Sequence, residues 1–276
     1  MKIIKFIMVV GLCTYCLLLS AQDKYFYTQY GADINQNGRD ILVDDEGMIT
    51  ICGNRISGET QKWDSFILEI DKFGSLINHI VYEETDFDTH YRTILVNEGS
   101  GYTLFADVIY PNDYPENIEG SIRMLKIDEN LIIDTSFFFT NSLYTNTDVN
   151  TAIETDNGYI VSGFSYNTGS FWQPYLVMID DAGNFLWELL IEDYDLNNGL
   201  QGIFLDESTQ TIYCSGTVEA SIFEDEANTL FLSVNLSGEI VTQSVINTPS
   251  FEDFGGDIIG LNGAFYVLSN NSTFAL

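Results

Sequence analysis

Four stretches decide the fold: YLVMIDDAGNFLWELLI at 175–191, FILEIDKFGSLINHIVY at 66–82, IRMLKIDENLIIDTSFFF at 122–139 and LFLSVNLSGEIVTQSVI at 230–246. Each is an apolar run ending in Asp or Asn, a short turn, and a second apolar run. The turn positions Gly74, Asn130, Gly183 and Gly238 are 56, 53 and 55 residues apart. A second landmark keeps the same step. Gly-containing turns precede β-rich runs at Gly47 (MITICGN), Gly101 (YTLFADV), Gly158 (YIVSGFS) and Gly263 (AFYVLSN), and a further copy, TIYCSGT, follows Ser208-Thr209-Gln210. Two landmarks with one period of ~54 residues describe an internal repeat.

Each repeat reads as four short strands. Val, Ile, Phe and Tyr dominate runs of a few residues, and Gly and Asn at the turns supply the positive φ that tight hairpins need. Strand a precedes the first turn, as at Arg39–Asp44 or Thr151–Thr155. Strand b follows it, strand c is the FILEI-type run, and strand d follows the second turn. Four antiparallel strands per repeat of this length predict an all-β fold, a β-propeller. Four complete units are expected at 39–90, 91–146, 147–198 and 199–250, with a partial fifth at 251–276 and a lone strand at 24–31 (KYFYTQYG). That is an open or incomplete ring, and we expect the sequence to continue beyond Leu276. Nearly every position of Tyr175–Ile179 and Phe185–Ile191 is apolar, which predicts burial of both faces of strands c and d.

Residues 1–22 have Lys2 and Lys5, then an apolar stretch from Ile7 to Leu19, then Ser20-Ala21-Gln22. This pattern is a secretory signal peptide cleaved after Ala21 or Gln22, leaving 23–276 as one repeat domain without membrane insertion. The chain carries 41 Asp+Glu against 10 Lys+Arg, a formal net charge of −31. So few cations exclude a nucleic-acid partner and argue against anionic lipid. Cys52 and Cys214 remain after cleavage and fall in non-adjacent units, so two buried free thiols are expected.

Asp156-Asn157-Gly158-Tyr159-Ile160-Val161-Ser162-Gly163 and Ile179-Asp180-Asp181-Ala182-Gly183-Asn184-Phe185-Leu186-Trp187 resemble the blades of secreted Bacteroidota repeat proteins associated with type IX secretion. Ile51-Cys52-Gly53, Ile70-Asp71-Lys72-Phe73-Gly74 and Cys214-Ser215-Gly216 match more loosely. The resemblance implies a propeller at the cell surface or outside the cell. It implies no particular activity.

Motifs for chemistry are sparse. Asp33-Ile34-Asn35-Gln36-Asn37-Gly38, with Asp44 twelve positions into the loop, matches the opening of a calcium loop, but Asp, Asn and Gly are also ordinary residues of an inter-blade connection. Acidic runs at Asp44-Asp45-Glu46, Glu192-Asp193-Tyr194-Asp195 and Glu224-Asp225-Glu226 read as a solvated surface rather than as paired carboxylates. Trp187 reads as a blade-packing residue, and Trp63-Asp64 stands at the start of a strand c. His79 and His90 have no partner motif, and Tyr110–Gly120 is a long Tyr/Pro loop suited to recognition. With no catalytic or metal residues singled out and no cofactor expected, the reading is a secreted, non-catalytic scaffold binding an extracellular protein or glycan. The alternatives are a polysaccharide-active hydrolase or lyase, and a spacer segment of a longer adhesin.

Overall fold

Five hairpin turns share one geometry, and it follows from their sequences. Asp44, Asp71, Asp128, Asp180 and Asn235 each follow or end a strand. The Oδ1 atom of each accepts the backbone N–H groups two and four residues later, at 2.7–3.0 Å. Three residues on, the chain turns left-handed, at Gly47, Gly74, Leu131, Gly183 and Gly238. A short acceptor side chain closes the turn, and glycine takes the left-handed position without a Cβ clash. These exposed hydrogen bonds hold the Asp71, Asp128 and Asp180 carboxyls below the usual carboxylate range.

The computed structural model describes residues 30, 36–57, 62–84, 86–97, 101–110, 120–139, 146–167, 169–191, 197–219, 227–246, 255–261 and 264–269. Residues 1–22, residues 24–29 of the expected N-terminal strand, and Asp33 and Asn35 lie outside them. The first sheet holds β1 (Gln36–Val43), β2 (Ile49–Ile56), β3 (Trp63–Ile70) and β4 (Leu76–Tyr82). The second holds β5 (Asp88–Val96), β6 (Tyr102–Ile109), β7 (Gly120–Ile127) and β8 (Ile133–Phe139). The third holds β9 (Asn146–Thr155), β10 (Gly158–Tyr166), β11 (Gln173–Ile179) and β12 (Phe185–Leu190). The fourth holds β13 (Asn198–Asp206), β14 (Thr211–Glu219), β15 (Ala227–Asn235) and β16 (Ile240–Ile246). A two-stranded fifth holds β17 (Gly255–Leu261) and β18 (Ala264–Ser269). Strands pair antiparallel in sequence order within every sheet. The fold is therefore the expected all-β propeller, with four complete blades and part of a fifth.

Blades meet through their first strands: β5 packs beside β1, β9 beside β5, β13 beside β9, and β17 beside β13. The first strand is thus innermost and the fourth outermost. Apolar clusters fill the spaces between blades. One joins Ile67, Tyr91, Leu104 and Leu125; another joins Phe105, Met124, Val161 and Val177; a third joins Ile160, Leu176, Leu200 and Leu232. At about 1.5–3 kcal/mol per fully buried large side chain, these clusters dominate the stability.

Burial corrects one expectation. All seven residues of β11 are buried, but β12 is half-exposed or exposed throughout, and only Ile191 of that stretch is buried. An outermost strand has a sheet neighbour on one side alone, so an apolar sequence there does not guarantee two covered faces. Its aromatics instead latch onto the next blade. Tyr82 Oη donates to Leu131 O at 2.7 Å, and Trp187 Nε1 donates to Leu236 O at 2.9 Å. Trp187 is a packing residue, as its sequence context indicates. Cys52 and Cys214 are buried free thiols.

Gly238 combines a φ of +84° with the Trp187 ring, which a Cβ would meet at 2.8 Å. Gly238→Ala should cost about 1–2 kcal/mol in left-handed strain alone, plus displacement of the indole. Denaturant titration should show a lower midpoint with an unchanged slope. An unaltered midpoint would contradict the latch.

Candidate functional site

The inner strands share a defect. In each, the pairing register slips by one residue, which leaves one residue outside the ladder: Arg39 in β1, Arg92 in β5, Asn150 in β9 and Gln201 in β13. In β17 the slip falls at Gly256–Asp257. A β-bulge bends its strand and re-aims the extra side chain. Four bulges at equivalent positions thus bring Arg39, Arg92, Asn150 and Gln201, all polar or charged, to the inner side of successive blades. In β17 the matching position is Gly256, while Asp257 matches Asp40, each accepting the N–H of the residue after it.

A bulge also leaves backbone groups without ladder partners, and the neighbouring blade satisfies them. Asn54 of β2 accepts the N–H of Tyr91 at 2.7 Å and donates to its C=O at 3.2 Å. Asp107 of β6 accepts the N–H of Val149 at 2.6 Å. Asn150 Nδ2 donates to Leu200 O at 2.7 Å, and Ser215 Oγ donates to Gly256 O. Asp40 accepts from Thr93 Oγ1 at 2.8 Å and from the Ile94 N–H at 3.0 Å. Tyr91, Val149 and Leu200 each directly precede a bulge.

Two carboxylates meet in this region. Asp107 is 1% exposed and ion-paired to Arg92 Nε. Burial pushes its carboxyl up; Arg92, the Val149 N–H and Arg39 oppose that shift. Asp148, partly exposed on β9, is pushed up to about 7 by burial and by the charge of Asp107, against the pull of Arg92. Among the described residues its side chain has no hydrogen-bond partner. Two neighbouring carboxyls share one negative charge most cheaply when the member without a cation or N–H partner takes the proton. That member is Asp148. His90 holds the matching register position on β5, two residues before the bulge, and is pushed down to about 4 by burial, Arg92 and Arg39. It is neutral at neutral pH. Its Nε2 and Gln201 Oε1 are buried without partners.

Aromatic rings flank the pair. Phe164 of β10 lies opposite Asp148 in the ladder. Trp172 stacks on Phe164 with centroids 4.7 Å apart and planes at 19°, and Tyr166 adds a third ring. Trp172 is 43% exposed, and its backbone N–H and C=O are bound by Asn197 and Asn198 of the following segment. A separate cleft of about 620 Å³ lies at the other end of the inner strands, between the third and fourth blades. Glu154, Asp156, Asp181 and Glu207 line it, and Glu154 is six residues along β9 from Asp148.

The residues picked out in the sequence fall mostly elsewhere. Asn37 and Gly38 belong to β1 and pair with Asn54 and Gly53, so the second half of the calcium-like motif is strand rather than loop. Asp44 spends its Oδ1 on its own turn. His79 is exposed on β4, packed edge-on against Phe66. Asp64 of Trp63-Asp64 is buried and paired with Arg55 at 3.4 Å. The acidic runs at 192–195 and 224–226, and residues 111–119 of the Tyr/Pro loop, lie outside the described residues. Among the described residues no group of three or more His, Cys, Asp or Glu could hold a metal ion.

No known sequence family matches this chain. No curated protein matches it either. Solved structures do. An α-L-arabinofuranosidase from Lactobacillus brevis aligns over 88% of this chain and 86% of its own, with a TM-score of 0.52 and 8% identity. An exo-1,5-α-L-arabinanase from a bovine ruminal metagenomic library aligns over 88% and 90%, with a TM-score of 0.46 and 11% identity. A Synechocystis apocarotenoid oxygenase variant aligns over 86% of this chain and 55% of its own, with a TM-score of 0.46 and 12% identity. At such identities the likeness is one of fold. The expectation that this chain is not an enzyme is nevertheless corrected. The arabinofuranosidase, aligned over 86% of its own length, is an enzyme, so the lack of a contiguous motif was no ground for excluding one. Packing of β9 against β6 brings Asp107 and Asp148 together from separate blades.

Asn54 is 1% exposed and serves both backbone groups of Tyr91. Asn54→Ala orphans two buried groups at about 1–3 kcal/mol each. The urea midpoint should fall accordingly. A loss under about 0.5 kcal/mol, the scale of an ordinary surface change, would show that the bulge needs no such partner.

Proposed function

We propose that this chain is a hydrolase of extracellular polysaccharide, with Asp148 as its proton donor. The observation that carries the reading is the carboxyl pair on the inner strands, one member ion-paired and sealed, the other raised to about 7. A carboxylic acid still protonated near neutrality can donate to a glycosidic oxygen as the bond to the sugar breaks. Asp107 is too buried to touch substrate, so it is a positioning residue: its charge keeps the proton on Asp148. The proton of the attacking water passes to solvent. Atoms balance: the leaving sugar gains the proton of Asp148, and the new anomeric hydroxyl comes from water.

The Phe164, Tyr166 and Trp172 rings supply flat apolar faces with little conformational entropy to lose, and these suit the C–H faces of a sugar. The leader-like residues 1–22 and the likeness to secreted repeat proteins support action outside the cytoplasm, with 23–276 as the working domain. The Lactobacillus brevis neighbour makes α-L-arabinofuranosides the first substrates to assay.

Purified chain should release reducing ends from at least one of a panel of plant and bacterial polysaccharides and aryl arabinofuranosides. Asp148→Asn should lose about 10²–10⁴ in rate. The donor must be protonated, so wild-type activity should fall as pH rises through about 7. Glycan bound without turnover, or full activity in Asp148→Asn, would overturn the reading.

A further inference from the structure

The structure assigns Arg39 the role of binding an anionic group on the glycan, a uronate carboxylate or a sulfate ester, which makes the substrate an acidic polysaccharide. The inference rests on the hydrolase reading for the reaction it serves, but its observations are separate.

The chain has four arginines, and three are spoken for. Arg55 pairs with Asp64 and Glu83, Arg92 with Asp107, and Arg123 with Glu84. Arg39 alone has no carboxylate or other acceptor on its guanidinium among the described residues. Its own neighbour turns away: Asp40 directs both oxygens to Ile41 N–H, Thr93 and Ile94 N–H. Those bonds pin the residue after the bulge and so fix where Arg39 emerges. It is exposed and lies in the field of Arg92, the bulge residue of the next blade, and of the Asp107 carboxylate paired to it.

Two guanidinium groups repel, and Asp107 is already committed to one of them. Five N–H donors on a planar fork are thus left at the inner edge of the blades. A carboxylate or sulfate oxygen pair is the acceptor that such a fork matches. The net charge of −31 does not forbid this. At physiological salt, charges more than about 8 Å away are largely screened, and Arg92 is neutralised by Asp107, so the unpaired guanidinium of Arg39 decides locally.

Binding should be measured on full-length Asp148→Asn chain, which does not consume the probe, by calorimetry. The probes are polygalacturonate, its carboxyl-reduced form, dextran sulfate and dextran. An acidic probe should bind at least about tenfold tighter than its neutral counterpart. Adding Arg39→Gln should remove that preference, and Arg39→Lys should restore part of it. Preference for polygalacturonate assigns a uronate, and preference for dextran sulfate assigns a sulfate ester. Because Arg39 is exposed, its substitutions should leave the circular dichroism unchanged. Equal binding of acidic and neutral probes, no binding of either polyanion, or a preference that survives Arg39→Gln overturns the inference. Turnover of neutral glycans alone would sink it while leaving the hydrolase reading intact. Arg39-dependent anion binding without turnover by wild type would do the reverse.

Discussion

A bulged inner strand leaves backbone groups that its own sheet cannot satisfy, and everything else in this fold is arranged around that fact. The bulges of β5, β9, β13 and β17 each take a polar side chain from the preceding blade. It is Asn54 for Tyr91, Asp107 for Val149, Asn150 for Leu200 and Ser215 for Gly256. An unpaired buried N–H or C=O costs about as much as a lost hydrogen bond, so these contacts fix the rotation of one blade against the next. The apolar clusters between blades supply most of the stability but little of that register. The aromatic latches at Leu131 and Leu236 secure the outer ends in the same way.

The same constraint builds the chemistry. Asp107 is buried because the Val149 N–H must be met there, and a carboxylate was used where the first blade uses Asn54. Burying a charge demands a counter-ion, which Arg92 provides from its bulge position. The charge that remains is felt by Asp148 one strand away. A structural requirement at one residue thus tunes the acidity of another. No single-residue motif encodes that link. It passes from bulge to buried acid to raised neighbour.

The repeat and the turns were legible in the sequence because they rest on local chemistry. An Asp or Asn ending a strand three positions before a Gly closes its hairpin locally, and Asp71–Gly74, Asp180–Gly183 and Asn235–Gly238 needed no tertiary information. The innermost strands were read short. They were expected to start at Arg39 and Thr151, whereas they start at Gln36 and Asn146. Both expected starts fall at a bulge, where the extra residue breaks the two-residue alternation that marks a strand. The half of each strand holding His90 and Asp148 was therefore not aligned between units. Bulge residues also differ in type, Arg, Arg, Asn, Gln and Gly, so no sequence repeat joins them. Only the register shows their equivalence. The outermost strands erred the other way, since their apolar content reflects latching onto the next blade rather than burial on both faces.

The central claim is that Asp148 holds a proton near neutral pH because it is buried and because the charge of Asp107 lies beside it. Carboxyl carbon NMR across pH 3 to 9 tests it directly on the full chain. One aspartate resonance, absent from Asp148→Asn, should titrate near pH 7, and it should move to lower pH in Asp107→Asn, where the repelling charge is gone. If every aspartate resonance had finished titrating by about pH 5, near the ordinary carboxyl range, the inner strands would hold two independent carboxylates, and the account of the site would be wrong.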